Sequence, residues 1–195
     1  MKRSALLTCL VTLMLATSGS AQVDPDPDSI GIYFDLAATT HCDQLAGSDF
    51  FELYLLLTNA SAEGGVHGWE CQIQYDPALL VVGWEAVGYS GSYFTPPDFS
   101  LGLENPLPWT PAIHLLTMTC LLISPECAWL YLAPYSLPVI PGQMAYADGA
   151  DPWNIIPMYA STGGYGIPVA GVNCDCPPPV PATRASWGAV KTLYH

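Results

Sequence analysis

Hydrophobic and polar residues alternate along several short stretches of the chain, and this pattern predicts β-strands. The clearest case is residues 69–75, where Trp, Cys, Ile and Tyr alternate with Glu and Gln. A period of two places alternate side chains on opposite faces of a strand, so this stretch is typical of a half-buried strand. Residues 30–36 alternate in the same way, whereas residues 50–58 are apolar on both faces, as a central strand is.

Further strand-like stretches follow, separated by turn-forming residues. They are predicted at residues 79–87, 113–123, 128–134, 144–147, 155–158 and 168–173, and residues 88–111 are predicted as a loop rich in aromatics and prolines. The 19 prolines and 17 glycines exclude a long helix in the body of the chain. About nine short strands without crossover helices predict an all-β fold, an antiparallel β-sandwich.

The two ends of the chain differ from this body. Residues 1–21 combine a basic start, a short apolar run and small residues, which is typical of a secretory signal peptide. Residues 22–29 (QVDPDPDS) predict an extended, solvated acidic entry, and the sandwich domain is predicted to span residues 30–176. A Pro-rich spacer, residues 177–183, then leads to a C-terminal tail, residues 184–195.

The tail differs from the body in charge and in pattern. It holds Arg184 and Lys191, and Trp187, Val190 and Tyr194 recur at i, i+3 and i+7, which is compatible with a short helix. We expect the tail to dock on its own body, on a neighbouring chain or on a surface-sorting partner. A frayed end is the alternative.

The charge balance excludes several classes of function. The chain has 4 Lys+Arg against 17 Asp+Glu, and no Lys or Arg lies between residues 22 and 183. Nucleic-acid surfaces need cations, so no nucleic-acid partner is expected. No apolar stretch after the leader is long enough to cross a membrane as a helix. We therefore expect a secreted or cell-envelope-associated protein. The sequence leaves its oligomeric state open.

Six cysteines remain beyond the leader, and an even number in an exported chain favours disulfides. They are Cys42, Cys71, Cys120, Cys127, Cys174 and Cys176. Two pairings are preferred: Cys120 with Cys127 across a short turn, and Cys42 with Cys174 between terminal strands. A zinc cluster of His41 with Cys42, Cys174 and Cys176 is the alternative, although its spacing lacks the usual C-x₂-C pairs.

Two sets of residues are candidates for ligand binding. Asp148, Asp151 and Asn154 are spaced three residues apart around a predicted turn and supply the hard oxygens that calcium prefers, although Asp-Gly and Asp-Pro are also ordinary turn formers. Aromatic residues of the Pro/Gly-rich loops could form a platform for a sugar or a protein, or could simply close the ends of the sandwich. These residues are Trp109, Trp153, Tyr89, Tyr93, Tyr159 and Tyr165.

No residue set is assigned to catalysis. The 17 acidic residues could supply the carboxylate pair of a glycosidase, but nothing in the sequence selects two of them. Surface solvation is the simpler explanation of their number.

Residues 50–87 resemble cohesin-type domains and the related carbohydrate-binding sandwiches. The shared pattern is an apolar strand, an alternating strand, a Tyr-Asp-Pro turn at residues 75–77 and a second apolar strand. The resemblance implies a nine-stranded, jelly-roll-like fold. It transfers no binding residue, because no dockerin-contacting or sugar-contacting position can be matched.

The whole chain also resembles a set of exported bacterial proteins without an assigned activity. They share a Tyr-Phe-Asp start (residues 33–35), a Pro-Gly-Gln-x-Ala-Tyr-Ala-Asp-Gly stretch (residues 141–149) and a Trp-Gly-x-Val-Lys-x-Leu-Tyr end (residues 187–194).

The sequence therefore favours an exported, non-catalytic β-sandwich module. We expect it to bind an extracellular protein or polysaccharide or to have a structural role at the cell surface. The alternative is a carbohydrate-active enzyme or its accessory module. No cofactor is assigned, and calcium is the favoured candidate.

Overall fold

The alternating stretches form strands in the computed structural model, which describes residues 24–46, 50–89 and 95–175. The strands, in chain order, are β1 Ser29–Tyr33, β2 Cys42–Asp43, β3 Phe50–Thr58, β4 Val66–Tyr75, β5 Leu79–Ala86, β6 Asp98–Leu107, β7 Ala112–Leu122, β8 Ala128–Ala133, β9 Met144–Asp148, β10 Ile155–Ala160 and β11 Ala170–Val172. No helix in these ranges is long and apolar enough to span a bilayer. The described part is all-β, as predicted.

The strands form two facing layers. Sheet A has the order β10-β1-β3-β7-β5, and sheet B has the order β2-β11-β8-β4-β9-β10, with β6 on the other edge of β4. Strand β10 belongs to both sheets. Its residues Ile155–Met158 pair with β9, whereas Tyr159 and Ala160 pair with β1. The passage of β10 from one layer to the other closes one side of the sandwich.

The core lies between the layers and is built by alternate residues of the strands. On β4, Trp69, Cys71 and Ile73 are buried in it, as the alternation predicts. On β3, the buried residues Leu53, Leu55 and Leu57 face them from sheet A. Burying such side chains stabilises the fold by about 1.5–3 kcal/mol each.

Three features of the strand pattern differ from the prediction. The predicted loop at residues 88–111 contains β6, whose alternate residues Phe99, Leu101 and Leu103 are buried in the core. The described residues form eleven strands instead of about nine. Two of the pairings, β1 with β10 and β2 with β11, are parallel. Strand β6 was predicted as a loop because Pro97 precedes it and Pro106 lies within it. Proline cannot donate to a ladder and is confined to edges. Strand β6 pairs only with β4 and is therefore such an edge.

The acidic entry is part of the fold, and its predicted solvation is wrong for two of its aspartates. Asp24 and Asp28 are buried. Asp24 Oδ2 accepts the Ser29 hydroxyl at 2.5 Å, and Asp28 Oδ1 accepts the Tyr146 hydroxyl and the Ser61 N–H, both at 2.7 Å. Burial raises the pKa of Asp24, and hydrogen bonds from the Ser29 hydroxyl and the Asp26 N–H partly offset this effect. The entry is thereby tied to β9 and to the loop after β3.

The disulfide pattern differs from both preferred pairings. Cys127 binds Cys174, which joins the start of β8 to the end of β11. Cys42 is also disulfide-bonded. Cys71 and Cys120 are free thiols buried in the core, so the pairing of all six cysteines is wrong. Their alternation on β4 and β7 points them between the layers, where they behave as small apolar residues. Cys176 lies outside the described residues.

The hydroxyl of Tyr146 supports a testable prediction. It donates to Asp28 and accepts the Ala62 N–H at 3.2 Å, so Tyr146→Phe leaves buried polar groups short of a partner. We expect the free energy of unfolding, measured with urea, to fall by about 1–3 kcal/mol. The control is Tyr54→Phe, whose hydroxyl donates to the exposed Glu52 and whose loss costs less than about 0.5 kcal/mol. Equal effects of the two substitutions would contradict this account.

The two free thiols support a second prediction. Burial raises the pKa of both Cys71 and Cys120, that of Cys120 to about 12, so neither reacts in the folded protein at pH 8. Without reductant, an alkylating reagent should modify both thiols in the unfolded protein and neither in the folded protein, as read by peptide mapping. Cys127 and Cys174 should be labelled only after reduction. Labelling of Cys127 before reduction, or of Cys71 in the native state, would contradict the assignment.

Candidate binding surface

The outer face of sheet B carries a groove with a floor of small residues. Two rows cross β6, β4, β9 and β10 in register: Gly102, Gly68, Ala147 and Ile155 form one row, and Ser100, Glu70, Ala145 and Pro157 form the other. The small side chains leave a depression of about 280 Å³, which we call the sheet B groove. Gly68 is required there, because a side chain at this position would meet the Leu101 carbonyl oxygen at 2.7 Å.

One carboxyl group lies in the wall of this groove. Glu70 is only 5% exposed, and its Oε1 accepts the Val139 N–H at 2.7 Å. Burial raises the pKa of Glu70, and the Val139 N–H lowers it by a smaller amount. The chain offers no Lys or Arg in the body to neutralise this carboxylate. Its compensation comes from the backbone alone.

Glu70 and Asp98 together hold the loop between β8 and β9 against the sheet. Asp98 Oδ1 accepts the Ser136 N–H at 3.2 Å, three residues before the bond to Val139. Gln72 pairs with Asp98 in the ladder, so the two acids lie on neighbouring strands and on the same face. Each carboxylate therefore satisfies a loop amide that would otherwise have no strand partner.

Large apolar side chains project to solvent around the groove. Leu137 is 79% exposed, Val139 is 65% exposed, and Trp153 is 91% exposed. Val139 lines one wall of the groove, and Pro152, next to Trp153, lines another. Exposed apolar residues grouped in this way mark interaction surfaces. Leu137, Val139 and Glu70 were not predicted from the sequence, since only the paths of the strands and of the loop bring them to one face.

The hairpin turn that presents Trp153 is fixed by a close approach of backbones. Gly149 N–H donates to the Gly65 carbonyl at 3.0 Å, and a side chain on Gly149 would collide with the Gly64 carbonyl oxygen. The same Gly65 lies against the backbone of Trp109. The structure thus brings two predicted platform residues, Trp109 and Trp153, to one end of the sandwich.

The described platform residues differ in their contacts. The Trp109 indole N–H donates to the Ala60 carbonyl at 2.9 Å, so this ring also helps to hold the fold together. Tyr89 packs against the core, and Tyr165 accepts the Met144 N–H at 3.4 Å. Tyr159 is exposed on β10. Tyr93 lies outside the described residues, as do the tail residues Trp187, Val190 and Tyr194.

The predicted calcium ligands lie together in the β9–β10 turn and bond to each other and to the turn. Asp148 Oδ2 accepts the Asn154 amide at 3.3 Å, and Asp148 Oδ1 accepts the Ala150 N–H at 2.9 Å. Asp151 Oδ1 accepts the Trp153 N–H at 3.2 Å. These are the bonds of aspartates that form turns. Within the described ranges, no group of three or more His, Cys, Asp or Glu is arranged to hold a metal ion. Calcium binding by Asp148, Asp151 and Asn154 stays a prediction.

The comparisons with known proteins concern the fold. The sequence matches no protein-family profile and no curated protein. The structure is similar to the sixth cohesin of scaffoldin B from Acetivibrio cellulolyticus, solved in complex with a Cel5 dockerin, with a TM-score of 0.47 and 12% identity over 75% of this chain and 98% of that one. It is also similar to a type I cohesin from Clostridium thermocellum, solved in a cohesin–dockerin complex, with a TM-score of 0.44 and 14% identity over 74% of this chain and 92% of that one. The predicted resemblance to cohesin domains is confirmed for the fold, a cohesin-like β-sandwich.

The buried carboxyl group of Glu70 gives a pH-dependent prediction. Because its pKa in the folded protein is raised, the folded state prefers the neutral form, and its ionisation costs stability as the pH rises above the usual value of 4.5. Glu70→Gln keeps an oxygen acceptor for Val139 and stays neutral. We expect the variant to melt at a higher temperature than the wild type at pH 7, and the difference to vanish below about pH 4.

The matched control is Glu104→Gln, at an exposed position on β6. This substitution should change the melting temperature little at either pH. A Glu70→Gln effect that does not change with pH would show that the charge of Glu70 is not what costs stability.

Proposed function

We propose that the mature protein is an exported, non-catalytic module that binds an extracellular protein through the outer face of sheet B. The observation that carries the proposal is the apolar surface formed by Leu137, Val139 and Trp153 around the sheet B groove. These side chains have no core to fill, and burying them against a partner would be favourable by roughly 25 cal/mol per Å².

Glu70 and Asp98, two acids on neighbouring strands of sheet B, support a binding role over the enzyme alternative. A glycosidase needs one carboxyl group free to protonate the leaving oxygen and another free to attack or to activate water. Glu70 and Asp98 instead accept the amides of Val139 and Ser136, and these bonds shape the surface that a partner would meet. Both acids are thus better explained as anchors of the loop.

Polysaccharide is the second candidate ligand, and Trp153 is the residue that favours it. Its ring is almost fully exposed on a hairpin fixed by Gly149, and exposed indole rings stack on sugars as well as on protein side chains.

Export is supported by the signal-peptide pattern of residues 1–21 and by the disulfide between Cys127 and Cys174. A structural role at the cell surface would use the same β-sandwich, attached to the surface through the C-terminal tail.

The proposal is tested by binding experiments on the mature chain, residues 22–195. Immobilised protein is exposed to native envelope extract in one arm and to a panel of polysaccharides in the other. We expect a discrete ligand in the protein arm, with affinity reduced at least about tenfold by the double substitution Val139→Ser, Trp153→Ala, because truncating such contacts costs about 1–2 kcal/mol.

The control is Leu36→Ser, which removes an exposed leucine from the loop between β1 and β2. This variant should bind like the wild type. Binding only in the polysaccharide arm, lost with Trp153→Ala alone, would favour the second candidate. Equal binding by the double variant and the wild type would contradict the placement of the surface.

A further inference from the structure

A second exposed apolar surface lies on the outer face of sheet A, away from the sheet B groove. Phe50 on β3, Leu121 on β7 and Leu80 on β5 are in register across three neighbouring strands. Phe50 is 66% exposed and Leu80 is 45% exposed. Val82, the extra residue of a bulge on β5, and Ile123, just after β7, are 51% and 60% exposed. We call these residues the end patch.

The described chain ends beside this patch. Cys174 is bonded to Cys127, and the Asn173 side-chain amide donates to the Pro125 carbonyl at 3.4 Å. Pro125 is two residues from Ile123, and Asn173 is two residues from Asp175. With at most about 3.6 Å per residue, together with the hydrogen bond and the groups that it joins, Asp175 lies within roughly 25 Å of Ile123. Residues 176–183 would span about 25 Å if they took the polyproline conformation that their sequence favours, so residues 184–195 can reach the end patch.

The charges of the two surfaces are complementary. Residues 184–195 contain the only cations after the leader, Arg184 and Lys191, beside Trp187, Val190 and Tyr194 at helical spacing. The end patch is bordered by acids: Glu52 lies in the next outward row of sheet A, and Glu85 lies one row beyond it. Glu126 is in the turn beside Ile123. A short amphipathic helix could thus place apolar residues on the patch and cations over these acids.

A second copy of the chain fits the patch less well. Patch-to-patch contact would bring Glu52 and Glu85 of each copy together, and the described residues contain no Lys or Arg to offset them. Like charges placed opposite each other destabilise a contact. The tail supplies both the apolar face and the missing cations.

We propose that the C-terminal tail, residues 184–195, docks in cis on the end patch as a short amphipathic helix. The tail then covers a surface that would otherwise be open to other chains and leaves the sheet B groove free. Twelve residues are too few for a stable helix in water, so docking and helix formation would occur together.

The test is amide hydrogen exchange by mass spectrometry on the intact mature chain. We expect the amides of residues 187–194 to exchange at least about tenfold more slowly than in an unstructured peptide. The double substitution Leu80→Ser, Ile123→Ser should remove this protection, and the control Leu36→Ser should not. Both altered residues are exposed, and exchange in β3 and β7 reports whether the body still folds.

A substitution in the tail tests the same contact between the tail and the end patch. Trp187→Ser should abolish the protection of the tail and leave exchange in the core strands unchanged. Tail amides that exchange at the unstructured rate in the wild type would overturn the proposal, as would protection that survives both sets of substitutions. Protection that rises with protein concentration, together with a dimer in sedimentation, would assign the tail to a neighbouring chain and overturn docking in cis.

Discussion

Hydrogen bonds from neutral donors to buried carboxylates are the interaction on which this structure depends. Between residues 22 and 183 the chain has no Lys or Arg, so no ion pair with Lys or Arg within this range can compensate a buried acid. Asp28 is held by a tyrosine hydroxyl and a backbone amide, and Glu70 by a backbone amide. A buried charge without partners would cost several kcal/mol, so these bonds are essential wherever an acid leaves the solvent. Because one partner of each bond lies in a loop or in the entry, each acid also fixes such a segment to a sheet.

This way of fixing loops connects the fold to its surfaces. Asp28 ties the entry to Tyr146 on β9, and Glu70 and Asp98 tie the β8–β9 loop over sheet B. The loop then presents Leu137 and Val139, while a hairpin fixed by glycines presents Trp153. On the opposite layer, the end patch consists of exposed residues of neighbouring strands and lies near Pro125, which accepts a hydrogen bond from Asn173. The protein thus has two apolar surfaces of different origin, one shaped by anchored loops and one by the rows of a sheet.

The sequence predicts the strands well and their surroundings poorly, for physical reasons. Strand β3 agrees with its predicted bounds and β4 with its predicted inward face, because alternation and burial are local properties. Strand β6 was missed because Pro97 before it and Pro106 within it indicate a loop, although an edge strand tolerates proline. The pairing of Cys127 with Cys174 depends on β8 lying beside β11, a long-range adjacency that spacing does not encode. The groove was missed for the same reason, since its two rows combine residues from four strands.

The most direct test of this account is the exchange rate of the Val139 amide, measured by NMR in the wild type and in Glu70→Ala. If Glu70 anchors the loop through this single neutral donor, the amide exchanges slowly in the wild type although the Val139 side chain is exposed, and its protection falls by at least about tenfold in the variant. The Ser61 amide, which donates to Asp28, should stay protected in both proteins. A Val139 amide that exchanges at the same rate with and without the carboxyl group would contradict the account.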